Sequence, residues 1–210
     1  MKLLKICGMR DASNINEVAN LRPDFLGFIF YARSPRYVGV DFIVPPMSKD
    51  TKKVGVFVNE DLVVAERIAQ TQQLDFVQLH GDESVQYVAS MKRTGISVIK
   101  AFRIDQQFDF ENVIEYQPYC DYFLFDARGK DYGGNNTVFD WRVLSRYNQR
   151  VPFLLSGGLN NENLKDALDA VSGMNCVGFD LNSGVEVSPG VKDTKAVERA
   201  LQILNRKSEI

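Results

Sequence analysis

The stretch KVGVFVNEDLVVAERIAQTQQLDFVQLH, Lys53–His80, decides how the rest of the chain is read. It opens on a β-branched apolar run, passes into a segment with Leu62, Ala65, Ile68 and Ala69 at helical spacing, and closes on a second apolar run. Asn59, just ahead of the helical pattern, is the expected N-cap. Continuous apolar runs, rather than alternating ones, belong to strands covered on both faces, and a helix between two such strands is the crossover of a parallel βαβ unit.

The same unit repeats along the chain. Runs beginning at Leu3 (LLKIC), Phe25 (FLGFIF), Lys53 (KVGVFV), Phe76 (FVQLH), Ser97 (SVIKAF), Tyr122 (YFLFD), Pro152 (PFLLS) and Cys176 (CVGFDL) follow one another at roughly 20 to 30 residues. Residues 160–171 repeat the helical pattern with Leu164, Ala167, Leu168 and Val171, and the C-terminal segment does so with Val197, Ala200, Leu201 and Leu204. Eight equal units predict one α/β domain over 1–210, a closed (β/α)8 TIM barrel. An open doubly wound sheet uses the same unit, but no GxGxxG follows the first strand and the units are nearly equal in length. Pro45 and Pro46 interrupt the second unit, so its helix is expected to be short or missing.

Composition narrows the function. A net charge of −2 gives no basic footprint for nucleic acid or an anionic membrane. Three cysteines, Cys7, Cys120 and Cys176, are odd in number and far apart, which argues against a disulfide framework or a zinc site and suits a reducing compartment. The apolar run at the N-terminus is too short for a signal peptide or a membrane span, and a soluble, cytoplasmic protein is expected. His80 is the single histidine, so a multi-histidine metal site cannot be built.

In a parallel barrel all strand C-termini open on one mouth. In order these ends carry Cys7, Phe30 with Arg33 and Arg36, Asn59, His80, Arg103, Asp126, Ser156 with Gly157 and Gly158, and Asp180 with Asn182 and Ser183. Gly157 and Gly158 in SGGL, and Ser183 and Gly184 in NSG, lie in the two loops where such barrels commonly hold a phosphate, although each loop alone is equally a tight turn. A short helical turn is expected after the eighth strand. The polar segment ARGKDYGGNNTV, with Gly129, Gly133 and Gly134, reads as a lid or as a plain surface loop. Asp126 is either a turn former or a working carboxyl; Arg36 is either a solvated charge or a fork for a carboxylate; His80 leans toward a structural role over a substrate contact. Cys120 and Cys176 fall at the other end of the barrel and read as packing.

Taken together, KICGMR, GFIFYARSPRYV, VGVFVN, VQLHG, FLFD with YGGNNTVFDW, LLSGGLNNENL and DLNSGVEVSPGVKD resemble the phosphoribosylanthranilate isomerases of tryptophan biosynthesis, across almost the whole chain and in the family's order. The resemblance implies an Amadori rearrangement of N-(5-phosphoribosyl)anthranilate to 1-(2-carboxyphenylamino)-1-deoxyribulose 5-phosphate, without metal or organic cofactor. It implies Cys7 as general base and Asp126 as general acid, Arg36 near the anthranilate carboxylate, and Gly157, Gly158, Ser183 and Gly184 at the phosphate, with Asp180 also among the substrate-binding residues. As base, Cys7 needs nearby positive charge to lower its pKa from the ordinary value of about 8.5. Asp126 as acid needs a mouth that raises its own. Asn135 and Asn136 depart from the family's third lid glycine. Another sugar-phosphate barrel isomerase, a non-catalytic phosphosugar-binding barrel and a cysteine-nucleophile hydrolase remain as rival readings. A phosphosugar is the expected partner, and both monomer and homodimer stay open.

Overall fold

The structure, a computed structural model, describes residues 1–39, 41–127 and 139–205. Eight strands, β1 (Leu3–Ile6), β2 (Phe25–Ile29), β3 (Lys52–Phe57), β4 (Phe76–Leu79), β5 (Ser97–Ile104), β6 (Tyr122–Ala127), β7 (Phe153–Ser156) and β8 (Cys176–Leu181), form a closed barrel. Every neighbouring pair is parallel, and β1 closes the ring by pairing β8 in register from Leu3↔Gly178 to Ile6↔Leu181. No helix among the described residues is long and apolar enough to cross a membrane.

Helices α1 (Ala12–Asn20), α2 (Leu62–Thr71), α3 (Val85–Arg93), α4 (Leu164–Ala170) and α5 (Thr194–Asn205) surround it, with 3₁₀ segments at Phe110–Tyr119 and Trp141–Arg146. On α5, Val197 and Ala200 are fully buried and Leu204 nearly so, on the face the spacing predicted. The N-cap of α2 is Asp61, not Asn59: the Asp61 carboxylate accepts from the amides of Val63 and Val64 at 2.9 and 3.1 Å. Asn59 stands two residues too early, with φ at +50°, and its side-chain oxygen accepts from the Asp82 amide at 2.7 Å, tying two mouth loops together.

The described residues between β2 and β3 contain no helix, as the proline pair predicts. An extended strap covers the gap: Gln72, the C-cap of α2, accepts from the Val44 amide and donates to the Phe42 carbonyl, both at 2.8 Å, and Phe42 packs on Phe28. The turn expected after β8 is followed by a small antiparallel ribbon, β9 (Glu186–Ser188) and β10 (Val191–Lys192), rather than by helix. Pro189-Gly190 supplies the reversal, with Gly190 at φ +88°, and the β-branched residues on either side favour strand.

The interior fills in layers from alternate strands. Phe25, Phe76, Tyr122 and Val177, at the starts of β2, β4, β6 and β8, occupy the N-terminal end; the three rings stand 5.4 to 6.1 Å apart. Leu3, Val54, Ile99 and Leu154 from the odd-numbered strands belong to the same cluster. Above them the interior turns polar, with Lys5, Gln78 and Asp180 buried. That change of character marks the floor of the mouth.

Candidate active site

Cys7 follows β1 directly. Its amide donates to the Leu181 carbonyl at 2.9 Å, and its side chain packs against Ile29 and Val56. Gly8 then turns the chain at φ +77°. A β-carbon there would sit 2.6 Å from Arg36 Cδ and 2.7 Å from Asn182 Oδ1, so only glycine admits both neighbours. The positive charge expected near Cys7 is present, as Lys5 and Lys192, but the expected fall in its pKa is not. Burial of the thiol, together with the Asp180 carboxylate, outweighs the two cations and pushes Cys7 up.

Beneath Cys7, Lys5 Nζ donates to Asp180 Oδ1 at 3.0 Å, both side chains being buried. The second oxygen of Asp180 accepts from Ser156 Oγ at 3.3 Å. Asp126, 4% exposed, ends the inward face of β6, and His80 Nε2 lies 3.5 Å from its Oδ2. His80 Nδ1 in turn lies 2.7 Å from Gln78 Nε2. The histidine therefore stands beside the carboxyl in the mouth, held from below.

Arg36 forms a fork on a carboxylate, and that carboxylate is Glu186 of the ribbon. Its Nε donates to the two oxygens at 2.8 and 3.0 Å and its Nη2 donates to Oε2 at 2.6 Å. Lys192 Nζ donates to Glu186 Oε1 at 2.6 Å and to Asn182 Oδ1 at 2.8 Å. Burial alone would raise the Glu186 carboxyl, yet hydrogen bonds from Arg36 and Lys192 hold it down at about 2. Lys192 itself is lowered, because burial exceeds what Glu186 returns.

The loops after β7 and β8 lie backbone against backbone. Asn160 and Gly184 form an isolated parallel bridge, and a β-carbon on Gly184 would come within 2.0 Å of the Leu159 carbonyl oxygen. Gly157, at φ +106°, allows the same close approach to the Ala127 carbonyl, while Gly158, at φ +65°, faces open space. The segment read as a lid, with Gly129, Gly133, Gly134, Asn135 and Asn136, lies outside the described residues.

The profile of the family described as N-(5'-phosphoribosyl)anthranilate (PRA) isomerase matches residues 4–203. The chain belongs to this family. The isomerase of Parabacteroides distasonis is 43% identical over 207 residues, covering 95% of this chain and 92% of the relative. The crystal structure of the Thermotoga maritima isomerase superposes with a TM-score of 0.82 at 32% identity, covering 97% of this chain and 98% of the other. A further isomerase structure, in complex with reduced 1-(o-carboxyphenylamino)-1-deoxyribulose 5-phosphate, matches with a TM-score of 0.78 at 32% identity, covering 96% and 97%.

Within the PRA isomerase frame, Cys7, Asp126, Gly157, Gly158, Asp180, Ser183 and Gly184 all gather at the C-terminal ends of the strands, with Arg36 reaching in from the loop after β2. Lys5, Gln78, Glu186 and Lys192 were not singled out from the sequence. For two of them a signal existed: Lys5 stands two residues before Cys7 and Gln78 two before His80, so each shares its partner's inward face.

Proposed function

We propose that this chain catalyses the Amadori rearrangement of N-(5-phosphoribosyl)anthranilate, with Asp126 as acid and Cys7 as base. Asp126 delivers its proton to the furanose ring oxygen as the C1′–O bond breaks and the anthranilate nitrogen lends its lone pair, leaving an iminium. The iminium acidifies C2′–H, and the Cys7 thiolate removes that proton. The resulting enolamine tautomerises to the 1-deoxyribulose. The substrate's own nitrogen is the electron sink, so no metal or cofactor enters the scheme.

The observation that carries this reading is one mouth holding a thiol at the end of β1, a carboxyl at the end of β6 and two glycine loops joined backbone to backbone. Gly157, Gly158, Ser183 and Gly184 receive the phosphate through backbone amides in this reading. Arg36, positioned by Glu186, faces the anthranilate carboxylate, and Asp180 belongs to the floor beneath the sugar. Such a reaction belongs in the cytoplasm beside the other steps of amino-acid biosynthesis. Adding the purified protein to freshly generated phosphoribosylanthranilate should speed the decay of its fluorescence well beyond a protein-free control, and should do so equally after exhaustive EDTA treatment. A decay equal to the control overturns the assignment.

A further inference from the structure

Lys5 is an exceptional occupant of a barrel interior. It is fully buried, directly above a layer of leucine, valine, isoleucine and aromatic side chains. Placing an ammonium there is costly before any partner is counted. Burial by itself lowers the lysine, yet Asp180 and Cys7 more than compensate, and Lys5 is held as the cation. An ion pair with Asp180 alone would account for neutrality, but not for a charge at this height in the barrel.

The position is explained by Cys7. Cys7, just past the end of β1, stands two residues after Lys5 and continues its inward face. A β-carbon on Gly27 of β2 would stand 2.8 Å from Cys7 Sγ and 3.1 Å from Lys5 Nζ, so a glycine is needed for the sulfur and the ammonium to occupy this space together. The charge of the ammonium favours the thiolate form of the sulfur electrostatically. Among the described residues, Asp180 of β8 and Lys192 of β10, with Glu186 and Asn182 as its own partners, also bring charge to the thiol, and Arg36 packs beside Gly8. Ile29, Tyr31 and Val56 complete the wall with apolar surface.

We propose that Lys5 is a positioning residue whose ammonium stabilises the Cys7 thiolate, and that Asp180 moderates this effect by competing with the sulfur for the same charge. The proposal rests on the reading of Cys7 as the base and extends it. Proton bookkeeping is unchanged: the C2′ proton goes to sulfur, and Lys5 keeps its own throughout. The two members of the Lys5–Asp180 pair then act on the thiol with opposite signs. A pair serving only the stability of the barrel has no such signature, because deleting either partner leaves the other charge buried and alone.

The test is the rate at which iodoacetamide alkylates Cys7, followed by peptide mass spectrometry across a pH series without substrate, in the full-length wild type, Lys5→Met and Asp180→Asn. Lys5→Met should slow alkylation at about pH 8 by roughly tenfold or more and displace its rise to higher pH. Asp180→Asn should speed alkylation several-fold and displace the rise to lower pH. In turnover, Lys5→Met should lower kcat with KM little changed. Changes of the same sign in both variants, or an unchanged profile, would overturn the proposal. If Lys5→Met does not fold, Asp180→Asn decides alone: a rise displaced to lower pH supports the proposal, whereas faster alkylation at every pH with its rise unmoved, as loosened packing around the buried thiol would give, overturns it. A Cys7→Ala protein that still turns over would instead remove the base assignment while leaving the alkylation result standing.

Discussion

The two ends of the barrel interior are built from the same eight strands and obey different rules. At the N-terminal end, Phe25, Phe76, Tyr122 and Val177 over Leu3, Val54, Ile99 and Leu154 fill the space with carbon. At the C-terminal end the same strands present Lys5 and Cys7, His80, Asp126, Ser156 and Asp180. On β6, three residues separate Tyr122 of the aromatic layer from Asp126 of the mouth. The lower end contributes stability by excluding water from apolar surface, and the upper end carries buried charges that a purely structural interior would avoid. Division of labour along each strand lets the chemistry vary while the barrel stays intact.

The sharpest way to break this comparison is to substitute at the upper end and look for a loss of stability. Cys7→Ala should lower kcat by roughly 10²–10⁴-fold, the range for a removed general base, while substrate affinity and thermal unfolding stay near wild type. If Cys7 is the base and limits the rate, kcat/KM of the wild type should rise with pH on the alkaline side, because burial holds the thiol above its ordinary value and the proposed step needs the thiolate. A profile falling over that range would remove the thiolate from the mechanism.

The complementary change lies one layer down. Leu124, fully buried in the lower cluster, should cost about 2–5 kcal/mol of stability when replaced by alanine, measured by urea unfolding. The protein that remains folded should keep its kcat/KM. A fall in kcat/KM without a fall in stability would show that the two ends are coupled.

Smaller effects refine the upper end itself. Gly158 has room for a side chain but sits at φ +65°, so Gly158→Val forces a β-branched residue into a left-handed conformation at a cost of about 1–2 kcal/mol. KM should rise roughly tenfold and inhibition by inorganic phosphate should weaken; an unchanged KM would move the phosphate away from this loop. Glu186→Gln should raise KM only a few-fold with kcat unchanged, through a less firmly held Arg36. Glu186 has its carboxyl depressed from 4.5 to about 2, so its contribution to stability is complete above the unfolded value and fades as pH falls toward about 2. The stability difference between wild type and Glu186→Gln, measured by unfolding at several pH values, should be constant at neutral pH and shrink in acid.

The alternation of apolar runs with helical spacing was enough to place all eight strands and the missing second helix, because covered parallel strands and amphipathic helices are written in local periodicity. For the same reason Cys7, Asp126 and the paired glycines could be recognised at strand ends, and the inward parity of Lys5 with Cys7 was available to be read. The N-cap of α2 and the ribbon after β8 were harder, since residues two positions apart compete for a cap and a Pro-Gly reversal suits several turns. What a neighbour does to a residue was not in the sequence. Lys5 and Asp180 are 175 residues apart and Arg36 and Glu186 are 150 apart, brought together when the last strand and its ribbon close against the first. That closure also buries Cys7. Whether nearby cations or loss of water prevails on its thiol depends on that packing, so the sequence placed the thiol at the mouth and the tertiary structure set how readily it gives up its proton.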